Sequence, residues 1–247
     1  MRAPDRHTTS HKPNRPLTDE IGPPDYQFEA AYQGKGYVIG IDEAGRGPWA
    51  GPVCAAAFWL HPDKLAHLPT GLNDSKKITA KKRTLIEAAL YEGKGRGVFD
   101  FEAAIASVAE IDALGILQAN FKAMGRATSL LAARLLAGDP LGLRAEGRCE
   151  IAAVLVDGNL LPPKEYLAYR AQAFIKGDGR VLSIAAASII AKQHRDGMMA
   201  ELHQAHPHYG WDKNQGYGTK AHQEGLDEFG ITDHHRTSFA PIKKRLS

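Results

Sequence analysis

The stretch Ile151-Ala152-Ala153-Val154-Leu155-Val156 is continuously apolar and is closed by Glu150 on one side and Asp157 on the other. A run that short with no polar alternation reads as a strand covered on both faces, the condition of a parallel strand. Parallel neighbours need long crossover connections, which helices usually supply. This one segment therefore directs the chain towards an α/β architecture.

The other segments fit that frame. Tyr37 to Ile41 is β-branched and runs into Asp42-Glu43-Ala44-Gly45-Arg46-Gly47-Pro48, which has turn chemistry. Pro52 to Leu60 is close enough to pair back antiparallel, and Gly97 to Phe101 supplies a third strand. Thr79 to Tyr91 reads as helix. Leu117, Phe121, Met124, Leu131 and Leu135 mark a helix with one buried stripe from Ile116 to Leu136. Tyr169 to Ile175 is a further strand, and Ile184 to Leu202 and Lys220 to Phe229 are helices. The expected fold is a mixed five-stranded sheet flanked by helices, its Ile151 strand parallel to its Tyr37 strand, with a small helical C-terminal extension over about 203–247.

Residues 1–33 carry Pro4, Pro13, Pro16, Pro23 and Pro24 among polar residues. Such a segment offers little to bury, so it is expected to be a disordered arm, with the folded domain spanning 34–247. Cys54 and Cys149 stand far apart without a CxxC pair, which argues against a disulfide scaffold and for two small core residues. No apolar run approaches the roughly 18 residues of a membrane span, and no signal peptide is evident. The expectation is a cytoplasmic monomer with no membrane and no obligate protein partner. A formal net charge of +3 permits a nucleic-acid partner without requiring one.

Two proposed parallel strands finish in acids, Asp42-Glu43 and Asp157. If the strands are neighbours, three carboxylates meet at the carboxyl edge of the sheet, where open α/β folds place ligands. Carboxylates that close repel, and a divalent cation keeps them ionised; oxygen ligands suit Mg²⁺ or Mn²⁺. Taken alone, Asp42-Glu43 reads equally as a solvated turn. Ser188, Lys192 and Asp196 are four apart and share one helix face. They form either a Lys-to-Asp surface pair, or part of an Ala-rich helix packed on the sheet that aims Asp196 at the other acids. Spacing leaves both open.

Several motifs occur in order: Asp42 to Pro48, then Leu72-Asn73-Asp74-Ser75-Lys76-Lys77, Val156-Asp157-Gly158, the Ala-rich helix ending Lys192 to Asp196, Gly216-Tyr217-Gly218-Thr219 with His222, and His235-Arg236 with Ser238-Phe239. Together they closely resemble the ribonuclease HII family from Gly34 to Pro241. The resemblance implies a ribonuclease H-like fold and an endonuclease that cuts 5′ of a ribonucleotide in RNA–DNA hybrids and in duplex DNA with embedded ribonucleotides, leaving 3′-hydroxyl and 5′-phosphate ends. It implies Asp42, Glu43, Asp157 and Asp196 as ligands of two Mg²⁺ or Mn²⁺ ions. The Gly45-Arg46-Gly47 turn is similar to the family's reader of the 2′-hydroxyl, since glycine lets main chain approach a sugar. Arg46, Lys76 and Lys192 resemble phosphate contacts, Ser188 lies on the same helix face as Lys192, and Tyr217 resembles a tyrosine that packs on the neighbouring sugar.

Some features need no such role. Lys81, Lys82 and Arg83 read as a solvated helix start capped by Asp74 or Ser75. His222 and His235 match no zinc finger spacing; they either hydrogen-bond within the C-terminal lobe or line the groove. Gln193 and Gln215 depart from the residues common in the family, the second where a lysine often stands. The competing readings are a binding module for hybrid duplexes that does not cut, and a glycoside hydrolase working with two carboxylates.

Overall fold

The computed structural model describes residues 22–72 and 78–246. Five strands form one sheet: β1 (Tyr37–Ala44), β2 (Val53–Leu60), β3 (Phe99–Ala106), β4 (Ile151–Asp157) and β5 (Ala171–Phe174), in the order β3-β2-β1-β4-β5. β1, β2 and β3 are antiparallel neighbours, whereas β4 runs parallel to β1 and β5 parallel to β4. The mixed sheet expected from the sequence is present.

The helices are α1 (Gln27–Ala30), α2 (Ala80–Gly95), α3 (Val108–Leu114), α4 (Ile116–Gly138), α5 (Leu182–Ala205), α6 (Trp211–Asn214), α7 (Lys220–Phe229) and α8 (Ala240–Lys243). None among the described residues is long and apolar enough to cross a membrane. α3 has no counterpart in the sequence reading. Its start is nevertheless encoded in a capping box, with Ser107 accepting from the Glu110 N–H and Glu110 accepting from the Ser107 N–H.

Strand alternation divides the core. Tyr37, Ile39 and Ile41 pack with Val154, Val156, Met124 and Leu131 on the α4 face. Val38, Ala153 and Leu155 point the other way, against Val181 and Ile184, while Ala56 and Phe58 meet Ala186 to Ala191 of α5 and Leu90 of α2. Gly40 shows why the α5 side is lined by small residues. A Cβ there would lie 2.5 Å from the Ser183 main chain, so the helix rests directly on the β1 backbone.

The described end of the segment expected to be an arm is ordered against the domain. Asp25 bridges to Val181, Phe28 meets Phe174 edge-on at 4.9 Å, and the Ser183 N–H donates to the buried Glu29 carboxylate at 2.7 Å. α5 has no side-chain cap of its own, so a carboxylate from α1 satisfies one of its orphan donors. The boundary at Gly34 is corrected accordingly: residues 25–32 belong to the folded unit. The cap of α2 is also corrected. Thr79 is the N-cap and accepts from the Lys82 N–H, at 3.4 Å, while Asp74 and Ser75 lie outside the described residues. Arg83 is no solvated lysine-like neighbour either, since it donates to the Ile78 carbonyl at 2.7 Å and to Gln193 at 3.3 Å.

Beyond α5 the chain folds into a lobe around Tyr209, Trp211, Leu226 and Ile242, which packs on Ala50 and Met199. Both cysteines are free thiols.

Candidate active site

The alternation that builds the core also aims the acids. Ile41 pairs with Val156 in the parallel register, so Asp42 and Asp157 follow side by side at the carboxyl ends of β1 and β4. Asp42 continues the face of Val38 and Gly40, towards α5, where the Ser188 side chain hydrogen-bonds to it. Glu43 points to the opposite face, where the Asn120 side chain of α4 favours its ionised form. Asp157 accepts from the Gly177 N–H at 2.7 Å through Oδ1.

Asp42 is 5% exposed, and its carboxyl is held well above the usual aspartate range. Burial is the main cause, and the charges of Glu43 and then Asp157 add to it, while the Ser188 hydroxyl opposes. Glu43 is raised as well, first by burial, although Arg46 at 3.1 Å pulls it down. Asp42 and Glu43 thus share a field that disfavours their ionisation.

Gly45, Arg46 and Gly47 continue from β1 into a cleft of about 630 Å³ that Asp42, Glu43, Ser188, Lys192, Arg195 and Tyr217 also line. Gly45 has φ +97° and Gly47 lies under the Tyr217 ring, which a Cβ at that position would meet at 3.2 Å. Tyr217 is half exposed, its phenol ring open to the cleft.

Asp196 stands apart from the other acids. It pairs with Lys192 at 2.5 Å, one turn back on α5, with Arg83 at 3.9 Å. Both readings of this helix are realised in part: it packs closely on the sheet, and its lysine and aspartate are paired. Lys76 lies outside the described residues. His222 and His235 are buried and do not line the cleft. The His235 Nε2–H donates to His222 Nε2 at 3.1 Å, the assignment required because His235 Nδ1 accepts from the Thr232 N–H and His222 Nδ1 faces the Tyr217 carbonyl at 3.0 Å. They belong to the lobe and brace the main chain of Tyr217.

Two residues next to the acids have no role in the sequence reading. Asn120 is 1% exposed, and its Oδ1 has no hydrogen-bond partner among the described residues. It falls inside the apolar stripe of α4, where one polar residue was the available signal. Arg195 precedes Asp196 and is also fully buried.

The donor set suits a hard divalent cation. The charges of Glu43 and Asp157 bear on Asp42 and that of Asp157 on Glu43, Arg46 offsets part of this at Glu43, and a bound ion would reverse the penalty. Among the described residues no three His, Cys, Asp or Glu side chains already close around a common point.

The ribonuclease HII family profile matches residues 39–242. A ribonuclease HII of Cereibacter sphaeroides is 47% identical over 229 residues, which cover 92% of this chain and 96% of that protein. The ribonuclease H2 from Pyrococcus horikoshii OT3 shares the fold with a TM-score of 0.62 at 22% identity, over 85% of this chain and 96% of that one. Bst-RNase HIII, solved in complex with Mn²⁺, shares it with a TM-score of 0.64 at 20% identity, over 98% of this chain and 75% of that one. With the profile spanning the sheet, the acids and the C-terminal lobe, the chain belongs to the ribonuclease HII family and is a ribonuclease H, a nuclease that hydrolyses its substrate.

Proposed function

We propose that this enzyme hydrolyses the phosphodiester 5′ to a ribonucleotide, both in RNA–DNA hybrids and in duplex DNA holding embedded ribonucleotides, leaving 3′-hydroxyl and 5′-phosphate ends. The observation that carries the reading is the position of the Asp42 and Glu43 carboxylates beside a glycine turn in one cleft. The acids supply a site for charge, and the turn supplies main-chain groups within reach of a sugar.

Asp42, Glu43, Asp157 and Asp196 would hold Mg²⁺ or Mn²⁺. The Mn²⁺ in the related Bst-RNase HIII supports oxygen-ligated divalent chemistry in this fold. Two such ions, when bound, would supply an activated water and stabilisation of the leaving oxygen in an in-line displacement. The remaining work belongs to the chain's own groups. Ser188 holds Asp42 in the orientation that faces the cleft. Asn120 does the same for Glu43 from the other face of the sheet. Lys192 is paired with Asp196 and would be free to neutralise a backbone phosphate if that carboxylate held a cation.

Main-chain groups of Gly45-Arg46-Gly47 read the 2′-hydroxyl, the group that distinguishes RNA from DNA at one nucleotide. Arg46, half exposed, reaches a neighbouring phosphate. Tyr217, held over Gly47, packs on the adjacent deoxyribose. Lys76 contributes a further phosphate contact.

The test is a labelled duplex with a single ribonucleotide, incubated with Mg²⁺, with Mn²⁺, or with EDTA. A single nick on the 5′ side that requires the metal is the expected result. Undiminished cutting in EDTA would remove the metal from the reading, and tight binding without any nick under every condition would favour a binding module.

A further inference from the structure

We propose that Arg236, backed by Arg195, is the positioning residue that sets which groups the Gly45-Arg46-Gly47 turn shows to the substrate, and thereby controls selectivity for a ribonucleotide. The inference rests on the reading of that turn as the reader of the 2′-hydroxyl.

Two guanidinium groups lie buried behind the turn, Arg236 at 0% exposure and Arg195 at 1%. Among the described residues neither has a carboxylate within ion-pair distance. Their donors go to main-chain carbonyls instead. Arg236 donates to the carbonyls of Gly45 at 2.6 Å, Arg46 at 3.0 Å, Gly51 at 2.9 Å and Pro52 at 3.1 Å. Arg195 donates to Pro52 at 3.0 Å, Ala50 at 3.2 Å and, in the Gly-Tyr-Gly segment's approach, Gln215 at 3.1 Å. One planar fork thus binds both ends of the loop that joins β1 to β2.

Peptide planarity turns this grip into a statement about the cleft. In a trans peptide the carbonyl of one residue and the N–H of the next point in opposite directions, and the chain has no cis bond. Holding the Gly45 and Arg46 carbonyls inward therefore directs the N–H groups of Arg46 and Gly47 outward. Both residues are exposed and line the cleft. Neither N–H has a hydrogen-bond partner among the described residues. They are free donors aimed by an arginine.

The packing excludes slack. A Cβ at Gly45 would overlap the Arg195 side chain, so the first glycine of the turn is demanded by the arginine beneath as well as by its φ of +97°. Arg236 is itself fixed: its guanidinium lies 5.1 Å over the Phe239 ring, and Asp112 of α3 accepts four hydrogen bonds from the main chain and hydroxyls of Thr237 and Ser238, at 2.6 to 2.9 Å. A lysine keeps the charge but cannot span four carbonyls.

The experiment compares binding of the full chain, in EDTA, to a duplex with one ribonucleotide and to the same duplex made wholly of DNA. Wild type is expected to prefer the first. In Arg236→Lys and Arg236→Gln the ratio of the two affinities should fall roughly 3- to 10-fold, the scale of one hydrogen bond, with all-DNA binding little changed. Millimolar methylguanidinium should restore the ratio in Arg236→Ala but not in wild type, which a general loss of structure would not allow. If the Arg236 variants do not fold, Asp112→Ala loosens the same segment from outside and should lower the ratio by a smaller factor. A variant with native near-ultraviolet circular dichroism that keeps the wild-type ratio overturns the positioning role alone. Equal affinity of wild type for both duplexes overturns the turn's reading, and the role of Arg236 with it.

Discussion

Two groups of buried charge flank the Gly45-Arg46-Gly47 turn, and they are handled in opposite ways. On the cleft side, Asp42, Glu43 and Asp157 press against one another with one half-exposed arginine to offset them. On the inner side, Arg195 and Arg236 also repel, and burial lowers the pKa of Arg236 to about 9, yet carbonyls occupy most of their donors. The arginines are complete within the protein, whereas the acids are complete only with something added. A charge closed off by main chain fixes shape; a charge left open to a cleft awaits a ligand.

Substitutions on the acid side should have the largest consequence for activity and the reverse consequence for stability. Asp42→Asn should lower nicking by more than about 100-fold, beyond the 10- to 100-fold cost typical of groups that merely orient ligands. The same change should raise the unfolding midpoint, because it removes repulsion. The pH dependence follows. The folded pKa of Asp42 is raised, so between the ordinary aspartate range and that raised value the native state holds a proton the unfolded chain has lost. Its stabilising contribution is present at low pH and disappears as pH rises through the folded pKa. Denaturant titrations without metal should show that slope in wild type and a shallower one in Asp42→Asn. Equal slopes would mean that the field at Asp42 is already neutralised.

The C-terminal lobe should respond to acid with the opposite sign. Burial beside His222 lowers the pKa of His235 to about 4, so the unfolded chain takes up a proton first as pH falls. Stability from this group is complete above about pH 6.5 and is lost towards pH 4, on the order of 3 kcal/mol. Tryptophan fluorescence from Trp211, whose indole donates to His222 at 3.2 Å, should follow the transition. A trace that stays flat from pH 7 to 4.5 would contradict the assigned pair.

Gly45→Ala should cost about 1–3 kcal/mol of stability, the usual scale for an overpacked site, because the new methyl strikes Arg195. Its activity loss should exceed what that destabilisation explains at 25 °C. The smallest change is expected for Lys192→Met. Its pair with Asp196 is only partly buried, so stability should move by less than about 1 kcal/mol. The dependence of binding on salt should weaken by about one phosphate contact.

The positions of Asp42, Glu43 and Asp157 were legible because strand ends announce themselves: a β-branched or wholly apolar run stops, and a carboxylate stands at the stop. The antiparallel return of β2 and the parallel pairing of β4 with β1 followed from the same runs. What the sequence concealed were partnerships made with main chain, which leaves no mark on residue type. Arg236 sits in a motif visible by eye, but its acceptors are the carbonyls of Gly45, Arg46, Gly51 and Pro52, nearly two hundred positions away. Glu29 was hidden for the same reason inside a proline-rich stretch that reads as arm. The Lys192 to Asp196 pair was foreseen as one of two readings, and the structure holds it while also packing the helix on Gly40.

Glu29 has a consequence for the order in which the molecule assembles. The helix that carries Ser188, Lys192, Arg195 and Asp196 completes its first turn with a carboxylate 154 positions upstream. α1 leaves the ribosome early, but its docking site is made only after β4, β5 and the start of α5 have been synthesised. Closing so long a loop is slow compared with local helix formation. The docking of α1 onto α5 is therefore expected among the late events of folding, after the sheet has formed.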